Sequence, residues 1–302
     1  MDDSPYLDST VAAVYDRIAA PIQFTPPARD LVALIKAPIG GVVLDVGTGT
    51  GVVAFHLARV TGPTGLVVGI DPSPAMLRAS RARRSYRVVV ARTPGVPFRD
   101  DVFDAVTASF VLSHAGDYQS ALADMVRVCK AGGRVGISAW GAGANPVGQA
   151  WKDVAAMYVS RDRFQQAFRA VIPWDEQFSH ADDLDRALRH ARLTAVQITR
   201  REYLFNLTVT DFLAMKESTV EGTVLRRMLD DTDWDRFTRE VARVFRERYA
   251  ETVSFVRDVH FGIGVKGGSI SAQRQIGLPN SQAARDRVVE RIENCQRGDG
   301  VG

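Results

Sequence analysis

Two carboxylates flank a glycine turn in this chain. Asp45 lies within an apolar run starting at Val42, the turn Gly47-Thr48-Gly49-Thr50-Gly51 follows, and Asp71 closes a second apolar run. Glycine has no Cβ and readily takes positive φ, so Gly47, Gly49 and Gly51 would let a ligand lie directly against the main chain. A helix expected over 52–60 would present unpaired N–H groups and a partial positive charge at its start, suiting a carboxylate or a phosphate. An acid placed like Asp71, at the end of the second strand of a doubly wound fold, accepts hydrogen bonds from ribose hydroxyls. The expected ligand is therefore a nucleoside.

Residue types narrow the nucleoside. A phosphate-cradling P-loop would follow its last glycine with Lys-Ser/Thr, whereas Val52 and Val53 follow Gly51. The dinucleotide fingerprint is G-x-G-x-x-G, and this turn is G-x-G-x-G. Asp45 would also oppose a pyrophosphate with like charge. S-adenosylmethionine fits all the features together, with an ammonium and a sulfonium for Asp45, a carboxylate for the helix amides and a ribose for Asp71. A glycine turn serving some other ligand is the plainer alternative.

Four segments resemble the class I S-adenosylmethionine-dependent methyltransferases, in particular the small-molecule (type 11) branch similar to ubiquinone and menaquinone C-methyltransferases. They are Val43-Leu-Asp-Val-Gly-Thr-Gly-Thr-Gly51, Val68-Gly-Ile-Asp-Pro-Ser-Pro-Ala-Met-Leu77, Val96-Pro-Phe98 with Phe103-Asp-Ala-Val106, and Met125-Val-Arg-Val-Cys-Lys-Ala-Gly-Gly-Arg134. The resemblance spans roughly residues 10–140 and implies a cofactor set of Tyr15, Asp45, Gly47, Thr48, Gly49, Gly51, Asp71, Pro72, Met76, Arg92, Thr93, Ser109 and Phe110. One position departs from the family. Where an acid often lies near the adenine amino group stands Arg92, which cannot accept a hydrogen bond. Adenine would then rely on backbone amides, apolar packing or Thr93.

Methyl transfer to an oxygen or an enolizable carbon requires alignment and removal of a proton, and needs no metal. His114, after the fourth expected strand, is the candidate base; the competing reading makes it a brace for the helix starting near Asp117. His180, His260, Glu202, Asp258, Tyr203 and Tyr15 are weaker candidates. Aromatic residues concentrate at Trp140, Trp151, Tyr158, Phe164, Phe168, Trp174 and Phe178, where core packing accounts for most and an apolar acceptor pocket would use the rest.

Positioning these groups calls for an α/β fold. It is expected to be a Rossmann-like doubly wound sheet of about seven strands, mostly parallel with antiparallel terminal strands, plus a helical cap. Strands are expected at 42–46, 66–70, 87–91, 104–109 and 133–139, with the terminal pair at 195–205 and 253–265. Residues 1–27 read as an amphipathic lid helix stopped by Pro26-Pro27, and 28–145 as the cofactor core. Residues 146–266 hold the remaining strands, with cap helices in 146–180 (one helix over 147–170) and 210–250 (two helices, from Asp211 and Asp233). A helix is expected over 118–131, and 267–302 reads as a polar, mobile tail with a short helix at 283–295.

The 302 residues are 46% hydrophobic and carry a net charge of +3, enough for a full core and too little basic excess to point to nucleic acid. The basic stretch 78–87 reads as a solvated helix face. Two cysteines, Cys129 and Cys295, suggest neither a disulfide framework nor a metal cluster, and no apolar run suits a leader or a membrane span, so a cytoplasmic location is expected. The expected function is methyl transfer to O or C of a small, fairly apolar metabolite, such as a quinone, polyketide or other secondary metabolite. The alternatives are an RNA or tRNA methyltransferase, and a cofactor-binding protein of the same fold that transfers no methyl. A small-molecule acceptor is the expected partner, without nucleic acid or membrane, and homodimer formation is left open.

Overall fold

The segment Val42–Val46 is buried along its whole length, as suits a strand in the middle of a sheet covered on both faces. In the computed structural model, which describes residues 5–80, 85–268 and 281–297, this is β1. With it run β2 (Leu66–Asp71), β3 (Arg87–Val90), β4 (Phe103–Ser109), β5 (Cys129–Trp140), β6 (Leu193–Thr208) and β7 (Thr252–Lys266). They form one sheet in the order β3-β2-β1-β4-β5-β7-β6. The first five pair in parallel, and both terminal pairings, β5 with β7 and β7 with β6, are antiparallel.

Side chains alternate across each strand, so the two faces carry different halves of the core. Val43, Ala105 and Ile263 pack against Leu31, Ile35 and Leu57 of α2 (Thr25–Ile35) and α3 (Val52–Thr61). Val42, Leu44 and Val46 face α5 (Tyr118–Val128), α8 (Ala181–His190) and α12 (Ser281–Arg297). No helix occupies residues 91–102, between β3 and β4. Instead α12 covers that side of the sheet from the far end of the chain, burying Val288 and Ile292 in the same core. The helix expected at 283–295 is therefore longer than thought and docked. The expectation of a mobile tail is corrected for 281–297, while 269–280 and 298–302 lie outside the described residues.

Four other expectations change. Pro26-Pro27 do not stop the entry helix: α1 (Ser9–Val14) runs through a π-helical stretch, Tyr15–Phe24, directly into α2, where the prolines occupy the first turn. The wider π-type turn just before them, in which Thr25 N donates to Ala20 O, accommodates the two prolines without ending the helix. Residues 129–131 belong to β5 rather than to the preceding helix, because Cys129 pairs with Phe103. The single helix over 147–170 is two, α6 (Pro146–Ala155) and α7 (Arg161–Val171). The break lets Trp151 of one and Phe164 and Phe168 of the other enter one apolar cluster.

The segment 210–250 holds three helices, α9 (Val209–Glu217), α10 (Val220–Met228) and α11 (Asp231–Tyr249). Ser218 and Thr219 separate the first two: their hydroxyls bond to Met215 O and Lys216 O, and Thr219 also caps α10. All five cap helices share one cluster with Phe205, Leu207, Val253 and Phe255, where β6 and β7 run past β5. Among the described residues, no helix is long and apolar enough to cross a membrane.

Candidate functional site

A cavity of about 490 Å³ opens at the carboxyl end of the parallel strands and runs beneath the cap. At one end lie Gly47, Gly49, Asp71, Pro72 and Met76, with α4 (Pro74–Ser80) supplying Met76. Asp71 is stationed by its own loop. Its Oδ1 accepts from Ser73 N and its Oδ2 from Gly49 N, both at 2.9 Å. Burial raises its pKa, and the two amides work against that shift. Gly49 has φ +55°, and a Cβ built there would meet only Met76 Cε, at 3.7 Å. That cradle and the nearby carboxylate fit a ribose-bearing ligand pressed against the main chain.

The other two glycines of the turn serve the protein's own packing. At Gly47 (φ +63°) a Cβ would fall 2.4 Å from Val111 Cγ2, and at Gly51 (φ +85°) 1.5 Å from the Tyr86 hydroxyl. The expectation that Gly51 faces a ligand is thus corrected, since Tyr86 fills its open side and its hydroxyl lies 2.6 Å from Ser80 Oγ.

Asp45 does not reach the cavity wall either. It is 1% exposed beneath the turn, and Thr107 Oγ1 donates to its Oδ1 at 2.8 Å. Burial is the largest influence on its carboxyl and pushes its pKa up to about 7, against contacts from Thr48, Thr107 and the Ala54 amide. Thr48 is buried behind the turn as well. These residues brace the turn from below.

The loop after β3 carries a further correction. Arg92 is exposed and Thr93 donates to Ala121 O at 3.1 Å, and neither lines the cavity. The loop is tied to α5 through Gly95 N and Val96 N, which both donate to Asp124 Oδ2 at 2.7 Å.

At mid-cavity, Tyr15, Ser109, Phe110 and His114 line the wall. Phe110 sits at φ +58°, a costly conformation for a side chain of its size. This turn ends β4 and stacks the ring on Trp140 with centroids 4.2 Å apart. His114 ends the 3-10 turn Leu112–His114, with its ring 5.9 Å from that of Tyr6. It is open to the cleft, yet enclosure by protein pushes its pKa down to about 4, leaving the imidazole neutral near pH 7. Asp117, not His114, caps α5, accepting from Gln119 N and Ser120 N.

The weaker base candidates fall outside the cavity, Tyr15 excepted. His260 is buried against Phe178 O, Tyr203 donates to Asp30, and Asp258 is occupied by Gly143 N and Arg200. Of the concentrated aromatic residues, Trp140 and Phe168 line the cavity, whereas Trp151, Phe164 and Phe178 are core.

Sequence reasoning missed several wall residues. Tyr6 enters because its carbonyl accepts from Ser73 Oγ at 2.5 Å, fastening the N-terminal segment to the Asp71 loop. Under the cap stand Lys152, Asp175, Lys216, Glu221 and Arg257. A signal existed for two of them. Arg257 interrupts the apolar alternation Val253, Phe255, Val259 on one face of β7, and Lys216 follows Phe212 by one helical turn.

Residues 44–137 match the family model described as a methyltransferase domain. The ubiquinone/menaquinone biosynthesis C-methyltransferase UbiE of Geobacter sulfurreducens is 35% identical over 140 residues, covering 44% of this chain and 54% of that protein. Its Burkholderia mallei counterpart is 44% identical over 103 residues, covering 32% and 42%. The chain thus spans about half the length of the curated relatives it matches. A solved structure from Anaeromyxobacter dehalogenans, described as a type II methyltransferase, superposes with a TM-score of 0.55 at 16% identity, covering 81% of this chain and 97% of that one, a likeness of fold.

Proposed function

We propose, from the match of residues 44–137 to the methyltransferase-domain model, that the protein transfers a methyl group from S-adenosylmethionine to O or C of a small metabolite with a largely apolar body. The observation that carries the reading is the single cavity in which the Gly49–Asp71 cradle and the aromatic wall of Phe110, Trp140 and Phe168 meet. Gly49 and Asp71 would hold the donor, which when bound supplies an electrophilic methyl on a sulfonium. The chain itself contributes alignment, worth up to roughly 7–11 kcal/mol when reacting groups are well oriented. Phe110 and Trp140, stacked on each other, form an apolar stretch of wall that excludes water beside the acceptor.

His114, open to the cleft, is the group we assign to accept the acceptor's proton, at the low end of the general-base range because its enclosure lowers its basicity. A general base contributes typically ~10²–10⁴-fold, so His114→Gln should lower kcat by about two orders of magnitude. The affinity for S-adenosylhomocysteine should stay as it was. The assay incubates a native small-molecule extract with the enzyme and methyl-labelled S-adenosylmethionine, identifies the labelled product, and repeats the turnover with the variant. Undiminished kcat in His114→Gln makes the residue a brace. Tight nucleoside binding without any labelled product across extract and acceptor panel removes the transferase reading.

A further inference from the structure

The cap end of the cavity differs in character from its aromatic middle. Lys152 from α6, Lys216 from α9 and Arg257 from β7 face the same space as two carboxylates, Asp175 and Glu221. Glu221 is already divided, its Oε1 lying 2.8 Å from Lys152 Nζ and its Oε2 pairing with Lys216. Lys216 is 6% exposed, with its ammonium 5.1 Å from the centre of the Trp151 ring. Burial, followed by the charges of Lys152 and Arg257, drives its pKa well below the ordinary lysine value. Three basic side chains here face two acidic ones.

Arg257 shows this imbalance most directly. Its guanidinium lies over the Trp140 ring, 4.5 Å from the centroid, and its Nε is buried without a hydrogen-bond partner among the described residues. Of the nearby acids, Asp175 lines the same space and its charge acts on Arg257, Asp258 is taken up by Gly143 N and Arg200, and Glu176 reaches Arg169 at 3.6 Å. A guanidinium set over an aromatic ring in a cavity wall can receive a planar carboxylate through paired hydrogen bonds. Phe168, Ile172, Phe212, Met215 and Phe255 line the space around these charges.

We propose that the methyl acceptor is a hydrophobic carboxylic acid, its carboxylate bound by Arg257 with Lys152 and Lys216 and its apolar body lying against the aromatic wall. Three basic side chains against two acidic ones suit one further carboxylate. The acceptor therefore arrives as an anion anchored at the cap, with its reacting atom extending toward Phe110 and the donor cradle. This deepens the methyltransferase reading and rests on it.

The test uses the full chain and the matched probes 1-naphthoate and 1-naphthamide, titrated calorimetrically with and without saturating S-adenosylhomocysteine. The acid should bind ~10–100-fold more tightly than the amide, the span of one charge-assisted contact. Arg257→Gln should abolish that preference while leaving S-adenosylhomocysteine affinity unchanged. Lys152→Gln, at a partly exposed position where folding is not at stake, should reduce the preference several-fold. Equal affinity for acid and amide in the wild type, or a preference that survives both substitutions, overturns the proposal. Loss of nucleoside binding alone would count against the methyltransferase reading, while the naphthoate comparison would still decide the anion site.

Discussion

Gly49 and Gly51 stand two residues apart in one turn, both with positive φ, yet they should fail in different ways when given a methyl group. At Gly49 an added Cβ would meet only Met76 Cε, at 3.7 Å. The cost to folding is then the left-handed backbone alone, about 1–2 kcal/mol. For a chain of this size that corresponds to a Tm lower by about 2–4 °C per kcal/mol. The methyl would project into the donor cradle, where overpacking costs about 1–3 kcal/mol, or ~5–150-fold in S-adenosylhomocysteine affinity.

At Gly51 the same methyl would fall 1.5 Å from the Tyr86 hydroxyl and 2.9 Å from Ser80 Oγ. Backbone strain, overpacking and loss of the Tyr86–Ser80 hydrogen bond together reach about 3–6 kcal/mol, chiefly as lost stability. Removing the hydroxyl with Tyr86→Phe should restore part of the stability in the Gly51→Ala background, and should do nothing for Gly49→Ala. Calorimetric titration and thermal melts on the two glycine variants, each with and without Tyr86→Phe, separate the two effects. Unchanged nucleoside affinity in Gly49→Ala, or melting losses of equal size at the two glycines, would refute the division of labour within the turn.

Two further outcomes follow from groups buried on either side of the turn. Asp45, with its pKa pushed up to about 7 by burial, holds a proton in the folded state that it loses near pH 4 when unfolded. Its contribution is therefore favourable in acid and is lost as the pH rises toward 7. Melts of wild type and Asp45→Asn from pH 5 to 7.5 should show the wild type losing ground with rising pH, and a constant gap would refute the assignment. Ile292, 2% exposed where α12 covers the sheet, should cost about 2–5 kcal/mol as Ile292→Ala in urea unfolding, the range for buried aliphatic truncation; a change under about 1 kcal/mol would mean that α12 is not part of the cooperative core.

The donor half was legible because it is written locally. Five apolar runs alternate with helical stretches, and Gly49 and Asp71 lie at fixed offsets from strand ends, so spacing alone carries them to one place. Packing was not legible in the same way. Nothing local to Gly51 says that Tyr86 fills its missing side chain, and nothing local to Asp45 separates a carboxylate beneath the turn from one facing the cleft. The cap was harder still, since Lys152, Asp175, Glu221 and Arg257 converge from separate elements. The docking of α12 depends on a slot left by the helix-free connection of residues 91–102, which only the assembled sheet reveals.

In β7, residues 259–265 pair with β5 inside the sheet, while 252–258 run beyond it and pair with β6 alone. In that overhang Phe255 and Arg257 face the cleft, and the alternate positions are Val256 and Asp258. A strand slipped by one residue exchanges its two sides completely. One residue inserted as a bulge between Asp258 and Val259 would present Asp258 in place of Arg257 and reverse the polarity of the acceptor's anchor without any substitution. A bulge at that point of β7 is thus a ready variable by which related chains could diverge from acidic toward basic acceptors while the donor half is left untouched.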